Sequence, residues 1–204
     1  MREFIYFSNK ARTSGNFDLN NLMNAGRMDI AIHVIINAFF LSHKLRNDIK
    51  LHLIFNGPPD QPKHLELFPG KSIPETGKQI GDDKLDLSKK DIGNLIKKML
   101  YKSKGKEKVE VWDGFYVEKK SLFKLLDEMD GRKEIYVLDD RGKDIRSIKF
   151  KDNPVFILGD HEGLNKKELR KIKSYGTSIS VGKNVYFASQ IITIVNNELD
   201  RQEI

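Results

Sequence analysis

The chain has 204 residues, no cysteine, and 36 Lys and Arg against 29 Asp and Glu, which gives a formal net charge of +7. The lack of cysteine excludes a disulfide framework, a cysteine-ligated zinc site and a thiol nucleophile, while the 39% hydrophobic fraction excludes a wholly disordered chain. The basic excess is spread along the sequence and favours a polyanionic partner such as RNA or DNA over a membrane surface.

The N-terminal segment and the histidines argue against a secreted, a membrane-spanning and a metal-dependent protein. MREFIYFSNKARTS begins with charge and soon returns to it, unlike a signal peptide, so we expect a cytoplasmic protein. The longest apolar run, at 30–41, is interrupted by His33 and Asn37 and is too short for a membrane span. The His residues show no HxxxH or HxH spacing, and we expect no metal.

Strand-like and helix-like patterns alternate in the first half of the chain. The segment 31–45 is apolar on nearly every side, which is typical of a helix buried on most faces. Gly57 and the two prolines after it end the preceding strand, and Ser88 with Asp91 has the spacing of a helix cap. The sequence predicts a strand at 3–8, a polar loop at 10–23, a helix at 31–45, a strand at 49–55, an irregular insertion at 62–86 and a helix at 86–101.

The second half repeats the alternation at a tighter spacing. A lysine-rich turn at 102–108 precedes it, for which a solvated surface and an RNA contact are both open. Strands that alternate with helices predict one α/β domain with a largely parallel sheet. The remaining predicted elements are strands at 109–112, 134–138, 155–158 and 178–181, helices at 119–129, 165–173 and 188–201, and a charged hairpin-like segment at 139–148.

Two of the predicted strands end in a glycine, Gly159 after VFIL and Gly182 after SISV. Ligands bind at the carboxyl ends of parallel strands, and a glycine there lets a ligand approach the backbone because no Cβ intervenes. The phosphate-binding patterns GxGxxG and GxxxxGK[ST] are both absent. The sequence therefore predicts a pocket for a nucleoside without phosphates, which fits the adenosine of S-adenosylmethionine.

The residues around both glycines resemble a known family. VFILGDHEGL and SVGKNVYFASQIITIVNNELDR are similar to the C-terminal signature of the SPOUT methyltransferases, and among them of the archaeal tRNA pseudouridine-54 N1-methyltransferases. MREFIYFSNKARTS, GRMD, NAFFLSHKLRND and GPPD match the N-terminal blocks of that family in the same order. Because these blocks occur in register, the resemblance is specific and extends over the chain.

The resemblance implies a deep trefoil knot within about residues 134–204 of a single domain at 1–204, with S-adenosyl-L-methionine bound in a bent shape. It also implies a homodimer with the RNA site near the interface. His161 follows the Gly159 loop, and we expect it to support that loop rather than take part in catalysis. Carried over position by position, the cofactor residues are Leu138, Gly159, Val181, Gly182, Tyr186 and Phe187.

Pseudouridine keeps a proton on N1, so methylation there requires loss of that proton and stabilisation of the anionic ring. Arg27 and Asp29 supply a cation and a carboxylate in the GRMD block, which resembles the GRPD block of ribosomal-RNA pseudouridine N1-methyltransferases. We expect both residues to be catalytic, although Asp29 also suits the first turn of a helix through the helix dipole. Asp60 in GPPD is a second candidate carboxylate.

The expected substrate is tRNA, with Arg2, Lys10 and Arg12 holding RNA phosphates. Two alternatives stay open at this point. One is a ribosomal-RNA pseudouridine N1-methyltransferase, which keeps the chemistry and changes the RNA. The other is a non-catalytic RNA-binding protein with a vestigial cofactor pocket, against which the intact Arg27 and Asp29 argue.

Overall fold

The computed structural model describes residues 1–72, 88–103, 105, 107–160, 162 and 165–204. Residues 73–86 of the predicted insertion, residues 86 and 87 of the predicted helix at 86–101, two positions of the lysine-rich turn and His161 lie outside the described residues. The fold is α/β, with helices on both faces of one eight-stranded sheet. The strands are β1 (Arg2–Ser8), β2 (Ile49–Phe55), β3 (Lys63–Leu67), β4 (Val109–Trp112), β5 (Phe115–Glu118), β6 (Glu134–Asp144), β7 (Pro154–Gly159) and β8 (Thr177–Ser180). The helices are α1 (Met28–Phe39), α2 (Pro69–Ser72), α3 (Lys89–Lys102), α4 (Leu122–Met129), α5 (Lys166–Ile172) and α6 (Ala188–Arg201).

The sheet has a parallel part and an antiparallel part. Its strand order is β4-β5-β3-β2-β1-β7-β6-β8. The five strands from β2 to β8 in that order run parallel, whereas β3, β5 and β4 pair antiparallel with their neighbours. The predicted, mostly parallel sheet is confirmed. The ends of β1, β2, β7 and β8, at Ser8, Phe55, Gly159 and Ser180, share one edge of the sheet, called the carboxyl edge below.

Alternation along β1 separates two hydrophobic cores, since neighbouring side chains of a strand point to opposite faces. Phe4 and Tyr6 join the core under α1, α3 and α6. Ile5 and Phe7 join the core under α4 and α5. All seven residues of the strand are buried, as expected for a central strand covered on both faces. Burial of each large apolar side chain stabilises the fold by about 1.5–3 kcal/mol.

The helix predicted at 31–45 begins and ends earlier in the structure, at Met28 and Phe39. Beyond Phe39 the backbone turns, because Phe40 is extended and pairs with Leu45. Both of these side chains still pack on the core, so the apolar pattern continues past the helix. The predicted boundary is wrong there since hydrophobicity reports burial rather than helical conformation.

The antiparallel part of the sheet is the least well predicted region. The sequence predicts an irregular insertion from residue 62, but the regular strand β3 pairs with β2 and β5 there. No strand is predicted for β5, which follows a tight turn at Gly114 with φ of 80°. Such short strands carry few residues of alternating polarity, so their pattern is weak until their partners are known.

The strand β6 is longer than predicted, and the prediction of a hairpin-like segment at 139–148 is wrong. Leu138 and Lys143 both pair with Ile179 of β8, so the residues between them leave the sheet and return. Gly142 lies so close to β8 that an added Cβ would be 2.4 Å from the carbonyl carbon of Ile179. Because only glycine fits this approach, Gly142 fixes the bulge in β6.

The helix caps and the last helix follow the sequence. Ser88 Oγ accepts a hydrogen bond from the amide of Asp91 at 3.1 Å, which confirms the predicted cap of α3. Ser121 and Asn165 cap α4 and α5 in the same way. The bounds of α6 are those predicted. No helix in the described part of the chain is both long enough and apolar enough to cross a membrane.

Candidate active site

A cavity of about 540 Å³ opens at the carboxyl edge, between the ends of three strands and the start of α6. This volume is in the usual range of small-molecule sites. The structure thus brings the six predicted cofactor residues together around one space, although they come from β6, β7 and the segment between β8 and α6. The six predicted residues that line the cavity are Leu138, Gly159, Val181, Gly182, Tyr186 and Phe187.

The segment between β8 and α6 forms an apolar rim on the cavity. Val185 and Phe187 are 94% and 61% exposed, and Tyr186 beside them is also exposed. Gly182 has φ of 139°, which favours glycine, and the space at its absent Cβ is open. Exposed apolar side chains next to open backbone suit a flat, partly apolar ligand such as a nucleobase.

The charged groups on the cavity wall are acidic. Four carboxylates line it, and none of its described lining residues is Lys or Arg. Burial raises the pKa of Asp139, but the ion pair with Lys173 and hydrogen bonds from nearby groups together hold that pKa below its usual value. A wall of this kind favours a cationic ligand and disfavours a phosphate. The four carboxylates are Asp139, Asp140, Asp160 and Glu162.

Sequence reasoning missed these carboxylates. Asp139 follows Leu138 directly and Asp160 follows Gly159 directly, so their place after a strand end was an available signal. Ser8, at the end of β1, donates to Asp160 Oδ2 at 2.8 Å and so ties the cavity wall to the central strand.

Arg27 and Asp29 form a bidentate ion pair at the start of α1. Arg27 Nε donates to one carboxylate oxygen and Nη2 to the other, each at 3.0 Å. Arg27 itself has φ of 62°, a left-handed conformation that L-residues rarely adopt. Burial raises the pKa of Asp29, but the hydrogen bonds and positive charge of Arg27, together with a backbone hydrogen bond, hold that pKa below its usual value. The carboxylate is therefore ionised, and each of its oxygens keeps a lone pair for a further donor.

The ion pair lies beside the cavity. Ile30, the residue after Asp29, lines the cavity wall. The charge of Asp160 acts on Arg27 and on Tyr6, so these groups are close together. Burial and the Asp160 charge raise the pKa of the buried Tyr6 phenol, and the nearby Ser8 hydroxyl lowers it by less. The structure therefore places the predicted catalytic pair next to the predicted cofactor pocket.

The prediction for Arg2 needs correction. Its side chain is 5% exposed, and Nη2 donates to the carbonyl of Ile204 at 2.7 Å. It also pairs with Asp200 at 2.7 Å and with Asp48 at 3.3 Å. The guanidinium is enclosed by groups of its own chain, so it is not available to RNA phosphates and instead holds the C-terminus against β1.

Lys10 and Arg12 lie at the carboxyl edge, in the loop after β1. The side chain of Lys10 is 54% exposed and pairs with Glu162 of the cavity wall. Arg12 is partly exposed, with a buried Nε that has no hydrogen-bond partner among the described residues. Both residues remain candidates for RNA contact.

Asp60, the second candidate carboxylate, is engaged by two lysines. Hydrogen bonds from Lys119 and Lys63 hold its pKa at about 2. These ion pairs join the GPPD turn to β3 and to the residue after β5, so Asp60 has a structural role. Ile192, Val195 and Leu199 of α6 are buried in the core of the single chain.

A row of buried polar groups crosses the sheet on the α4 side. His52 Nε2 lies 3.3 Å from Glu3 Oε2, and His64 Nδ1 lies 3.0 Å from Glu118 Oε1. His52 Nδ1 and His64 Nε2 face each other at 2.9 Å. All four residues are at most 9% exposed. No sequence spacing predicts this row, because its members come from four different strands, β1, β2, β3 and β5.

His52, His64 and Glu66 are a group of described residues with the spacing of metal ligands. The ring centres of the two histidines are 5.1 Å apart and the facing nitrogens 2.9 Å apart, so both nitrogens lie nearly on the line between the rings. Metal-ligating nitrogens instead converge on an ion about 2.0–2.1 Å from each. The observed geometry is therefore that of an N–H···N hydrogen bond.

The fold and the cavity define an α/β nucleoside-binding protein with a cation-favouring pocket at the ends of parallel strands. Over residues 1–204 the chain matches the model of a family of SAM-dependent RNA methyltransferases, and it belongs to that family.

Curated relatives support this membership along the whole chain. A tRNA (pseudouridine(54)-N(1))-methyltransferase of Methanococcoides burtonii is 38% identical over 206 residues, which cover 98% of this chain and 96% of the relative. The enzyme of the same name from Pyrococcus abyssi is 35% identical over 204 residues, with 98% of both chains covered.

A solved structure supports the fold. Archaeoglobus fulgidus Nep1 bound to S-adenosylhomocysteine matches with a TM-score of 0.63 and 12% identity, covering 99% of this chain and 98% of Nep1. At this low identity the match supports the fold alone.

Proposed function

We propose that this chain methylates N1 of pseudouridine at position 54 of tRNA, with S-adenosylmethionine as the methyl donor. The observation that carries the proposal is the near full-length match to relatives named for that reaction. The acidic cavity beside Arg27 and Asp29 supports it, because a methyl donor and an RNA base must meet at one place.

The residues around the cavity fit the cofactor. S-adenosylmethionine has a sulfonium and an ammonium group and no phosphate, which agrees with a wall that has four carboxylates and neither Lys nor Arg among its described residues. When bound, it supplies an activated methyl group. We assign the rim residues Tyr186 and Phe187 to the adenine and the backbone at Gly159 and Gly182 to close polar contact, with Leu138 and Val181 as apolar walls.

Arg27 and Asp29 then act on the target base. The ionised Asp29 carboxylate keeps free lone pairs that accept the N1 proton or hold the imide N–H of the ring. Arg27 offers a fixed positive charge to the carbonyl oxygens on which negative charge develops as the proton leaves. Their mutual hydrogen bonds keep both side chains oriented before the base arrives.

A knotted C-terminal region and a homodimer complete the proposal. In support of the knot, β8 pairs with β6 on both sides of the 139–142 bulge, and the Gln202 side chain on the far end of α6 bonds to the backbone of Phe150 and Ile148. In support of a dimer, Val185 and Phe187 expose apolar surface at the cavity rim, where a second copy would cover them.

Methyl transfer to defined RNAs tests the function. The protein is incubated with isotopically labelled S-adenosylmethionine and a tRNA that carries pseudouridine at position 54, and the product nucleoside is mapped. A tRNA with uridine at that position is the matched control, because its N1 is bonded to the sugar and cannot accept a methyl group. We expect label only with pseudouridine. Transfer to ribosomal RNA alone would establish the ribosomal alternative, and no transfer to any RNA would support the non-catalytic one.

A further inference from the structure

One face of α3 combines exposed lysines with an exposed aromatic ring. Lys98, Tyr101 and Lys102 follow the i, i+3, i+4 spacing that places side chains on one side of a helix. Tyr101 is 61% exposed, while Met99 and Leu100 on the opposite side are buried. These three exposed residues are called the α3 surface below.

Within the described part of the chain, the lysines of the α3 surface have no acidic partner. Among the described residues, no carboxylate lies within ion-pair distance of Lys98 or Lys102, whereas Lys63, Lys119 and Lys120 all have such partners. Lys98 Nζ instead lies 5.9 Å from the centre of the Trp112 ring. Unpaired cations beside an exposed aromatic ring are the components of a surface that binds single-stranded nucleic acid.

The α3 surface lies at the same edge of the sheet as the cavity. Lys63 begins β3 and is paired in register with Phe55, the last residue of β2. Its Nζ donates to Ser103 Oγ, just after α3, at 2.7 Å. The C-terminal end of α3 is therefore held at the carboxyl edge.

The loop after β1 connects the α3 surface to the catalytic pair. The amide of Arg12 donates to the carbonyl of Ala25 at 3.2 Å, two residues before Arg27. At the other end of the loop, Gly15 lies against α3 so closely that an added Cβ would be 2.7 Å from the Tyr101 ring. The loop after β1 therefore contacts both the segment before Arg27 and the Tyr101 ring.

We propose that the α3 surface is a second contact for the tRNA substrate, with Tyr101 stacking on an unpaired base near the target nucleotide and Lys98 and Lys102 holding the adjoining phosphates. The proposal rests on tRNA being the substrate. Proteins that recognise RNA bind splayed bases on aromatic rings and neutralise the backbone with lysine and arginine, and the α3 surface offers both. None of its three residues lines the cavity, so we assign it a positioning role rather than a catalytic one.

Equilibrium tRNA binding by three variants tests the proposal. Tyr101→Ala removes the ring, Tyr101→Phe keeps it, and Lys98→Ala/Lys102→Ala removes two charges. The charge-matched control is Lys124→Ala/Arg132→Ala, which removes two exposed cations in and after α4 on the other face of the sheet. Thermal unfolding and the Kd for S-adenosylmethionine show whether each variant keeps the fold and the cavity.

We expect Tyr101→Ala to raise the Kd for tRNA about tenfold, since base stacking contributes about 1–3 kcal/mol, and Tyr101→Phe to bind like the wild type. The double lysine variant should bind more weakly and reduce the slope of log Kd against log salt by about one to two. The control pair should do neither, and kcat at saturating tRNA should stay unchanged in all variants.

Wild-type affinity and an unchanged salt slope in both the Tyr101→Ala and the lysine variants would overturn the proposal. Because the lysine side chains are exposed, the double variant remains informative even if Tyr101→Ala unfolds. The binding assay does not depend on turnover. Failure of the wild type to methylate pseudouridine tRNA would therefore refute the enzymatic function without deciding the contact surface.

Discussion

The cofactor cavity and the α3 surface lie at the same edge of one sheet and carry opposite charge. The cavity wall has four carboxylates and neither Lys nor Arg among its described residues, whereas Lys98 and Lys102 of the α3 surface have no carboxylate partner in the part of the chain that the structure describes. A cationic cofactor and a polyanionic RNA each find a surface of opposite sign. Arg27 and Asp29, beside the cavity, carry one charge of each sign. Segregated charge thus lets a single edge bind two dissimilar ligands next to each other.

Replacement of Asp29 should have the largest effect on methyl transfer, because we assign this residue to the N1 proton of the target base. We expect Asp29→Ala to lower single-turnover methyl transfer by about 100-fold or more, as is usual for loss of an acid–base group. Cofactor affinity by calorimetry should be nearly unchanged, since Asp29 itself does not line the cavity. Asp29→Asn keeps the shape and separates charge from packing. Unimpaired turnover would remove Asp29 from the mechanism.

Steric blockage of the cavity should weaken cofactor binding without weakening RNA binding. Gly159→Val adds a branched side chain to the wall at the end of β7. We expect the Kd for S-adenosylmethionine to rise about tenfold or more, with tRNA affinity retained. Gly159→Ala, a smaller intrusion, should show a smaller loss. Normal calorimetric cofactor binding by the valine variant would mean that the cavity is not the cofactor site.

Replacement of Lys10 should have a smaller effect, and it should weaken tRNA binding rather than cofactor binding. Its ammonium pairs with Glu162 of the cavity wall but remains half exposed, so it can turn towards RNA. Lys10→Ala should weaken tRNA binding about fivefold through the loss of one phosphate contact, while Lys10→Arg should keep it. Equal losses of tRNA and cofactor affinity would indicate that the ion pair shapes the cavity instead.

The smallest effect on tRNA and cofactor binding near neutral pH should come from the buried row of Glu3, His52, His64 and Glu118. This row does not belong to the cavity or to the α3 surface. Burial lowers the pKa of His64 to about 4. Burial raises the pKa of Glu3 and Glu118, but the neighbouring histidines together with Lys133 and Lys120 hold both values at about 2. In each case the unfolded chain binds more protons than the folded one. Stability is therefore lost as the pH falls, from 6.5 to 4 for His64 and from 4.5 to 2 for the carboxylates.

Melting temperature against pH measures this loss. With an unfolded pKa near 4.5 and a folded pKa near 2, each carboxylate contributes at most roughly 3 kcal/mol. Glu118→Gln should flatten the acid limb of the curve and lower stability at neutral pH, because it leaves His64 with a weaker acceptor. A melting temperature that stays constant from pH 6.5 to pH 3 would contradict the assigned directions.

The sequence predicts the cofactor end of the molecule well, because its signals are local. Gly159 and Gly182 each follow a buried strand by one residue, so pattern and position coincide. The bounds of α6 and the cap at Ser88 are local for the same reason. The Arg27–Asp29 pair needs only a spacing of two residues.

Features that depend on distant partners could not be predicted. Arg2 is basic and near the N-terminus, but it is bonded to Ile204, 202 residues away in the sequence. The pairing of His52 with His64 requires the antiparallel arrangement of β2 and β3. The strand β5 is recognisable only beside β3.

The buried histidines also constrain how the antiparallel strands align. Side chains alternate between the faces of a strand, so a shift of β3 by one residue along β2 would move His64 to the other face of the sheet. His52 and Glu118 would then each lose a buried hydrogen-bond partner, at a cost of about 1–3 kcal/mol per group. Apolar contacts alone would penalise such a slip less sharply. The row of Glu3, His52, His64 and Glu118 therefore favours one register of β1, β2, β3 and β5 over its alternatives. The same register determines where β3 holds the end of α3 at the carboxyl edge.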